Sequence, residues 1–190
     1  MKYFIVLAAV MVTGLFAQFV NPTTGWSYDQ SQFQIFYQLE DLTIDGTSAE
    51  GDGSAMPNAE TGSCYTNPGT CDVIGAFINR NDGAGEICVG WAYAGFIQGA
   101  MTIPAMGNDG DPWTATYLNP IVEFGGQILA EAEVPYLKVY DASTYAILNV
   151  TPGMELPGFA NGAIESVTGT STACNGGAVE DDCGVCDGGN

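Results

Sequence analysis

Phe33-Gln-Ile-Phe-Tyr-Gln-Leu-Glu-Asp-Leu-Thr-Ile44 begins by alternating: Phe33, Ile35, Tyr37 and Leu39 fall on one face, and Gln34, Gln38 and Glu40 on the other. A period of two marks a half-buried strand. Asp45-Gly46 ends it with a turn signal. Downstream, residues 47–70 are rich in Gly, Ser, Asn, Pro and Thr and read as a long loop, held by Cys64 and Cys71 if they pair. Asp72 to Asn79 is the next strand, Asn81-Asp82-Gly83 a hairpin turn, and Glu86 to Tyr93 the return strand. In that return strand Ile87, Val89, Trp91 and Tyr93 make a large face for the core. Cys88, Gly90, Ala92 and Ala94 make a small face suited to close approach by another layer.

Further strands are expected at Gly99–Ile103, at Val134–Tyr140 and Tyr145–Val150 around an Asp141-Ala-Ser-Thr144 turn, and near Ala163–Thr168. Gln127–Glu133 is read as a single helical turn, and 168–172 as a Gly/Ser/Thr linker. Helical periodicity is otherwise nearly absent. Short strands separated by turn signals predict an all-β fold, an antiparallel β-sandwich of immunoglobulin-like or jelly-roll-like type, with a short irregular Cys/Gly/Asp-rich tail.

The composition excludes several function classes. The 190 residues carry 22 Asp+Glu, 3 Lys+Arg and no His, a formal net charge of −19. Three cations cannot build a phosphate-neutralising surface, so no nucleic-acid partner is expected. Without His there is no Ser–His triad, Cys–His pair or His-ligated zinc. Hydrophobic residues make up 46% and aromatics 11%, which argues for a folded domain over a charge-driven disordered chain.

Met1-Lys2 is a short basic start, Tyr3–Phe16 an uncharged apolar run, and Gly14-Leu-Phe-Ala17 a small-residue break. That is the layout of a secretory signal peptide over 1–17, cut after Ala17. The run is shorter than the roughly 20 residues of a bilayer span, so no transmembrane anchor is expected after cleavage. Loss of Lys2 leaves Arg80 and Lys138 as cations, and 2 − 22 gives a mature charge of −20. The expected location is secreted, extracellular or cell-surface. Cys64, Cys71, Cys88, Cys174, Cys183 and Cys186 are then disulfide candidates, with 15 complete pairings open; they fall into two groups of three, so either a thiol stays free or a pair crosses between the groups. Zinc is disfavoured, because Cys183-x-x-Cys186 has no second such pair.

In the tail, Cys174-Asn-Gly-Gly177 and Cys186-Asp-Gly-Gly189 match at a spacing of 12 residues. This reads as an internal repeat, residues 173–190, and predicts a longer gene product with further units. Besides Cys, only Ala178, Val179 and Val185 are apolar there. Disulfides, or calcium held by Asp181, Asp182, Asp187 and Asn190, would have to replace a hydrophobic core; a floppy acidic tail is the alternative.

The tail resembles the Asp-Cys-Gly-Val-Cys repeats of large bacterial secreted and surface proteins, loosely similar to calcium-binding thrombospondin type 3 repeats. Asp187 stands where that repeat often has Gly. Residues 18–168 form the expected main domain. Within it Asp72-Val-Ile-Gly-Ala-Phe77, Gly85-Glu-Ile-Cys-Val-Gly90, Met101-Thr-Ile-Pro-Ala-Met-Gly-Asn-Asp-Gly110 and Lys138-Val-Tyr-Asp-Ala-Ser-Thr144 occur in order. They resemble a β-sandwich module of exported bacterial proteins. The resemblance implies a non-catalytic part of a surface or extracellular protein, often exported by the type IX route.

Candidate chemistry is sparse. Asn108, Asp109 and Asp111 surround a glycine turn and are the candidate calcium ligands of the main domain; plain turn chemistry is the alternative. Asp141 is near enough in sequence to Lys138 for a surface ion pair. Trp113, in a Gly/Asn/Asp loop, is the candidate glycan contact, while Trp91 reads as core. The expected function is an exported non-catalytic structural module with calcium-binding potential, partnered by copies of itself or neighbouring domains, and fibre-forming in one version. A carbohydrate-binding module recognising surface glycans is the alternative. A glycan-acting hydrolase with paired carboxylates is the second.

Overall fold

In the computed structural model, residues 18–80, 83–97, 99–175 and 186 are described. The strands among them are β1 (Gln18–Val20), β2 (Ser27–Asp29), β3 (Gln34–Ile44), β4 (Thr47–Ser48), β5 (Val73–Arg80) and β6 (Gly85–Tyr93). They continue with β7 (Met101–Met106), β8 (Val122–Phe124), β9 (Gln127–Ala130), β10 (Tyr136–Asp141), β11 (Ala146–Thr151) and β12 (Ile164–Ala173). A 3-10 turn (Asn58–Thr61) and a one-turn helix, α1 (Ser63–Thr66), lie in the loop between β4 and β5.

The fold is mostly β. One sheet runs β4-β3-β12-β11-β10-β5-β6, with β7 also paired to β3. It differs from the expected antiparallel sandwich in two ways. First, β12 pairs with β3 in parallel, Ile164 opposite Phe36 and Ala173 opposite Ile44, so the sheet is mixed. Alternation specifies which face of a strand is buried and carries no information on strand direction. Second, the sheet curls on itself as a half-barrel in place of two flat layers. Its β6 end reaches β7 so closely that a Cβ on Gly90 would lie 1.8 Å from the Pro104 carbonyl oxygen. The small face expected on β6 is thus used for close approach. The large face is core: Val89, Trp91 and Tyr93 are buried.

The alternation in β3 is real but slips once. Ile35, Tyr37 and Leu39 are buried, then Leu42 and Ile44. The phase changes at Glu40–Asp41, beside the register break between Val167 and Thr170 of β12. A bulge of this kind bends the strand, as a curled sheet needs. The 168–172 stretch, expected as a linker, is the second half of β12, with Ser171 and Thr172 buried.

Two ribbons stand outside the sheet. β1–β2 covers β6, where Trp91 Nε1 donates to the Phe19 carbonyl at 3.0 Å and Phe19 meets Tyr28 edge-on. The other ribbon, β8–β9, corrects the expected helical turn at 127–133. Gly125 and Gly126, at φ 60° and 80°, make a two-residue turn that pairs Phe124 with Gln127. Positive φ at both turn residues is what a tight hairpin requires, and glycine supplies it without strain. The expected signal peptide over 1–17, Asn81-Asp82 of the β5–β6 turn and most of the expected tail repeat lie outside the described residues.

Candidate functional sites

The acidic end of the sheet comes first. Asp72 precedes β5 and is buried. Its carboxylate accepts the Glu50 N–H at 2.8 Å and the Ala142 N–H at 2.9 Å, tying the β4–β5 loop and the β10–β11 turn to one point. Burial lifts its pKa above the usual carboxylate range. The two N–H bonds oppose that lift and are outweighed, with Asp141 and Glu50 adding to it. Asp141, also buried, accepts the Ser143 N–H at 2.8 Å and the hydroxyls of Ser143 and Thr144. Burial pushes its pKa up, but these donors more than compensate and hold it low. Asp45, Glu50, Asp72 and Asp141 line a cleft of about 480 Å³ there. The tail enters beside it: Asn175 donates to Asp45 and to Thr144, at 2.9 and 3.0 Å.

The Asn108–Asp111 turn has its oxygens engaged by its own chain. Asp109 accepts the Gln32 N–H at 2.9 Å, the Asp111 N–H at 3.2 Å and the Thr114 hydroxyl at 2.5 Å. The Thr114 bond is the main reason its pKa falls to about 2. Asn108 accepts the Gly110 N–H, and Asp111 accepts the Trp113 N–H. Among the described residues no group of three or more His, Cys, Asp or Glu is arranged to hold a metal ion. Asp181, Asp182, Asp187 and Asn190 lie outside the described residues.

The two cations among the described residues, Arg80 and Lys138, are ion-paired. Arg80, at the end of β5, forks onto Glu133 and donates to the carbonyls of Thr116 and Tyr117. The guanidinium lowers the Glu133 pKa against its burial. Lys138 pairs with Glu86, which also accepts the Tyr136 hydroxyl, and lies 5.4 Å from the centre of the Phe77 ring. Burial acts to raise the Glu86 pKa, and the bonds from Lys138 and Tyr136 outweigh it. The Lys138–Asp141 pair expected from the sequence does not form. Residues three apart on a strand point to opposite faces, and Lys138 turns outward while Asp141 turns into its own hairpin.

Two of the candidate disulfides are present, Cys64–Cys71 and Cys174–Cys186. The first closes the long loop, where Asp52 accepts the Cys64 N–H at 2.9 Å. The second joins the two cysteines that begin the repeated tail segments. Cys88 is a correction: it is a free thiol on β6, its sulfur 3.4 Å from the Gly90 carbonyl, and burial pushes its pKa up to about 12. Cys183 lies outside the described residues. Two disulfides fit an oxidising compartment. No helix among the described residues is long and apolar enough to cross a membrane.

Trp113 is 59% exposed, as a glycan contact would need, while Trp91 is buried and Trp26 packs edge-on to Phe77 at 5.0 Å. Sequence reasoning missed a second groove, on the outer face of β3 and β7, because it joins residues far apart in the chain. It also missed the Gly125-Gly126 signal for the β8–β9 hairpin. That hairpin leaves Phe124 78% and Leu129 64% exposed, with Ile128 and Val122 also in solvent.

The four motif segments that carried the family resemblance meet in space. Asp72 of the first holds Ala142 of the last, Glu86 of the second pairs with Lys138 of the last, and Gly90 of the second lies against Pro104 of the third. Their polar residues secure the chain to itself. No protein-family model matches the chain, and neither a curated protein nor a solved structure matches it at a significant level.

Proposed function

We propose that this chain is an exported, non-catalytic structural module of a cell-surface or extracellular protein, and that it works by joining copies of itself or neighbouring domains. The observation that carries this reading is the β8–β9 hairpin, whose every residue is exposed although Phe124, Ile128 and Leu129 are large and apolar. A cluster of that kind on a surface marks a contact made elsewhere. Use of carboxylates as structural acceptors supports the same reading. Asp52, Asp72, Asp109 and Asp141 each hold backbone N–H groups in place. Two disulfides, which fit an oxidising compartment, and the export signal read from the sequence support a location outside the cell.

Sedimentation velocity of the mature chain tests this. Like copies carry a charge of −20 by the arithmetic above, so association is expected to strengthen as salt shortens the screening length to about 8 Å near 0.15 M. Phe124→Ser combined with Leu129→Ser is expected to abolish it. A strict monomer at every salt and protein concentration overturns the self-joining version.

A further inference from the structure

The groove on the outer face of β3 and β7 has about 460 Å³ of space, in the range of small-molecule sites. Gln34 and Phe36 of β3 stand opposite Met106 and Pro104 of β7, so these four side chains share one face of the ladder. Phe36, Pro104 and Met106 give an apolar floor, and the segment from Gly53 to Asn58 forms a wall. Gln30, Gln34 and Asn58 place carboxamides around it. Among the described residues the side-chain amides of Gln34 and Asn58 make no hydrogen bond, and Gln30 uses only its NH₂, toward Ser31 and Met106. No lining residue is charged, whereas the acidic cleft at the other site has four carboxylates.

We propose that this groove binds a neutral oligosaccharide. A pyranose presents an apolar C–H face and a rim of hydroxyls, each both donor and acceptor. The floor suits the first, and carboxamides, which also donate and accept, suit the second. Charge selects the class. A polyanion is repelled by the overall negative charge, and a cation finds no carboxylate in the groove. A peptide adding as a strand needs a free main-chain edge, and this floor is the face of a ladder already paired between β3 and β7. The inference goes beyond the structural role and does not depend on it.

The test is an NMR titration of the full chain with neutral hexasaccharides of glucose, xylose, mannose and N-acetylglucosamine, and with polygalacturonate as the acidic control. At least one neutral sugar is expected to bind and to shift the signals of Gln34, Phe36 and Asn58, with polygalacturonate inert. Gln34→Ala with Asn58→Ala is expected to weaken binding at least about ten-fold at unchanged melting temperature. Asn58→Asp keeps the side-chain shape, adds a charge at the rim, and should weaken binding similarly. Trp113→Ala should leave binding intact. The proposal is overturned by no neutral sugar binding up to about 10 mM, by binding that survives the amide variants, or by binding that Trp113→Ala abolishes.

Discussion

The chain contains two β-hairpins with opposite fates. β5–β6 runs from Val73 to Tyr93, and most of its residues are buried; β8–β9 runs from Val122 to Ala130 with none buried. Both ladders are antiparallel and both carry a register irregularity, at Ala76/Phe77 and at Val122/Glu123. Apolar content does not separate them either, since β8–β9 holds Val122, Phe124, Ile128 and Leu129. The difference lies in what reaches each one. β5–β6 is met by β10 on one edge, by β7 against Gly90 and by β1 at Trp91, with Asp72 anchoring its start. β8–β9 pairs with no third strand among the described residues, and just beyond its base Glu133 accepts from Arg80 and Asn119. A hairpin's own sequence makes the ladder, and its neighbours decide whether the ladder is core or surface.

The sharpest way to break that contrast is Gly90→Ala. Its Cβ would lie 1.8 Å from the Pro104 carbonyl oxygen and 2.7 Å from the carbonyl carbon, so β6 and β7 would have to separate. The expected loss is more than about 3 kcal/mol, read by chemical denaturation. Unchanged stability would mean that β6 and β7 do not pack this closely.

Asp72→Ala comes next. It leaves the N–H groups of Glu50 and Ala142 without their acceptor, at an expected cost of about 2–4 kcal/mol. Part of that loss is offset, because the raised Asp72 pKa shows that folding disfavours its charge. The sign follows from linkage: the folded state keeps the proton longer, so this group's contribution declines as pH rises from the ordinary Asp value through the raised one. Asp72→Ala should therefore cost more below that window than above it, and denaturation on either side measures the difference.

Glu133→Gln addresses the joint between the two hairpins. The neutral side chain keeps an oxygen for Asn119 and loses the charge facing Arg80, with an expected cost of about 1 kcal/mol. Glu133 has a lowered folded pKa, so the wild-type contribution is complete above the ordinary Glu value and disappears as pH falls through the lowered one. The variant should show a flatter acid limb in its stability profile. An identical acid limb would assign that limb to other carboxylates, such as Asp109.

Phe124→Ser is the mildest for the fold. With the ring 78% exposed, its expected effect on stability is within about 0.5 kcal/mol. Its effect belongs instead to association. A large stability loss would show that the hairpin packs on its own domain, and the contrast between the two regions would disappear.

Much of this fold is legible in the sequence at the level of strands. The period-two runs in β3 and β6 place Ile35, Tyr37, Leu39, Val89, Trp91 and Tyr93 in the core, where they are found. The Asp141–Thr144 turn joins two strands as expected, and the staple in the long loop is Cys64–Cys71. Pairing was less legible. Nothing local tells β12 to run parallel to β3, a contact between residues 129 positions apart where the Thr170 hydroxyl donates to Asp41. The candidate site fared less well, because carboxylates at turns look alike until their donors are known. Asp109 and Asp141 satisfy neighbours mainly within their own turns, whereas Asp72 reaches Ala142 across 70 positions.

By itself the sequence determined the β-rich class. Its alternation made strands, its glycine, asparagine and aspartate made turns, and its −19 charge without histidine removed whole groups of chemistry. Those are properties of single residues and near neighbours, for which side-chain direction and backbone preference suffice. Tertiary structure decided the rest. It curled one mixed sheet until Gly90 met Pro104, turned Arg80 and Lys138 into ion pairs, left Cys88 a half-buried free thiol, put an apolar hairpin in solvent, and formed a charge-free groove from Gln34, Asn58 and Met106. Each of these depends on segments distant in the chain arriving at one place, and burial, ion pairing and groove shape exist only once they have arrived.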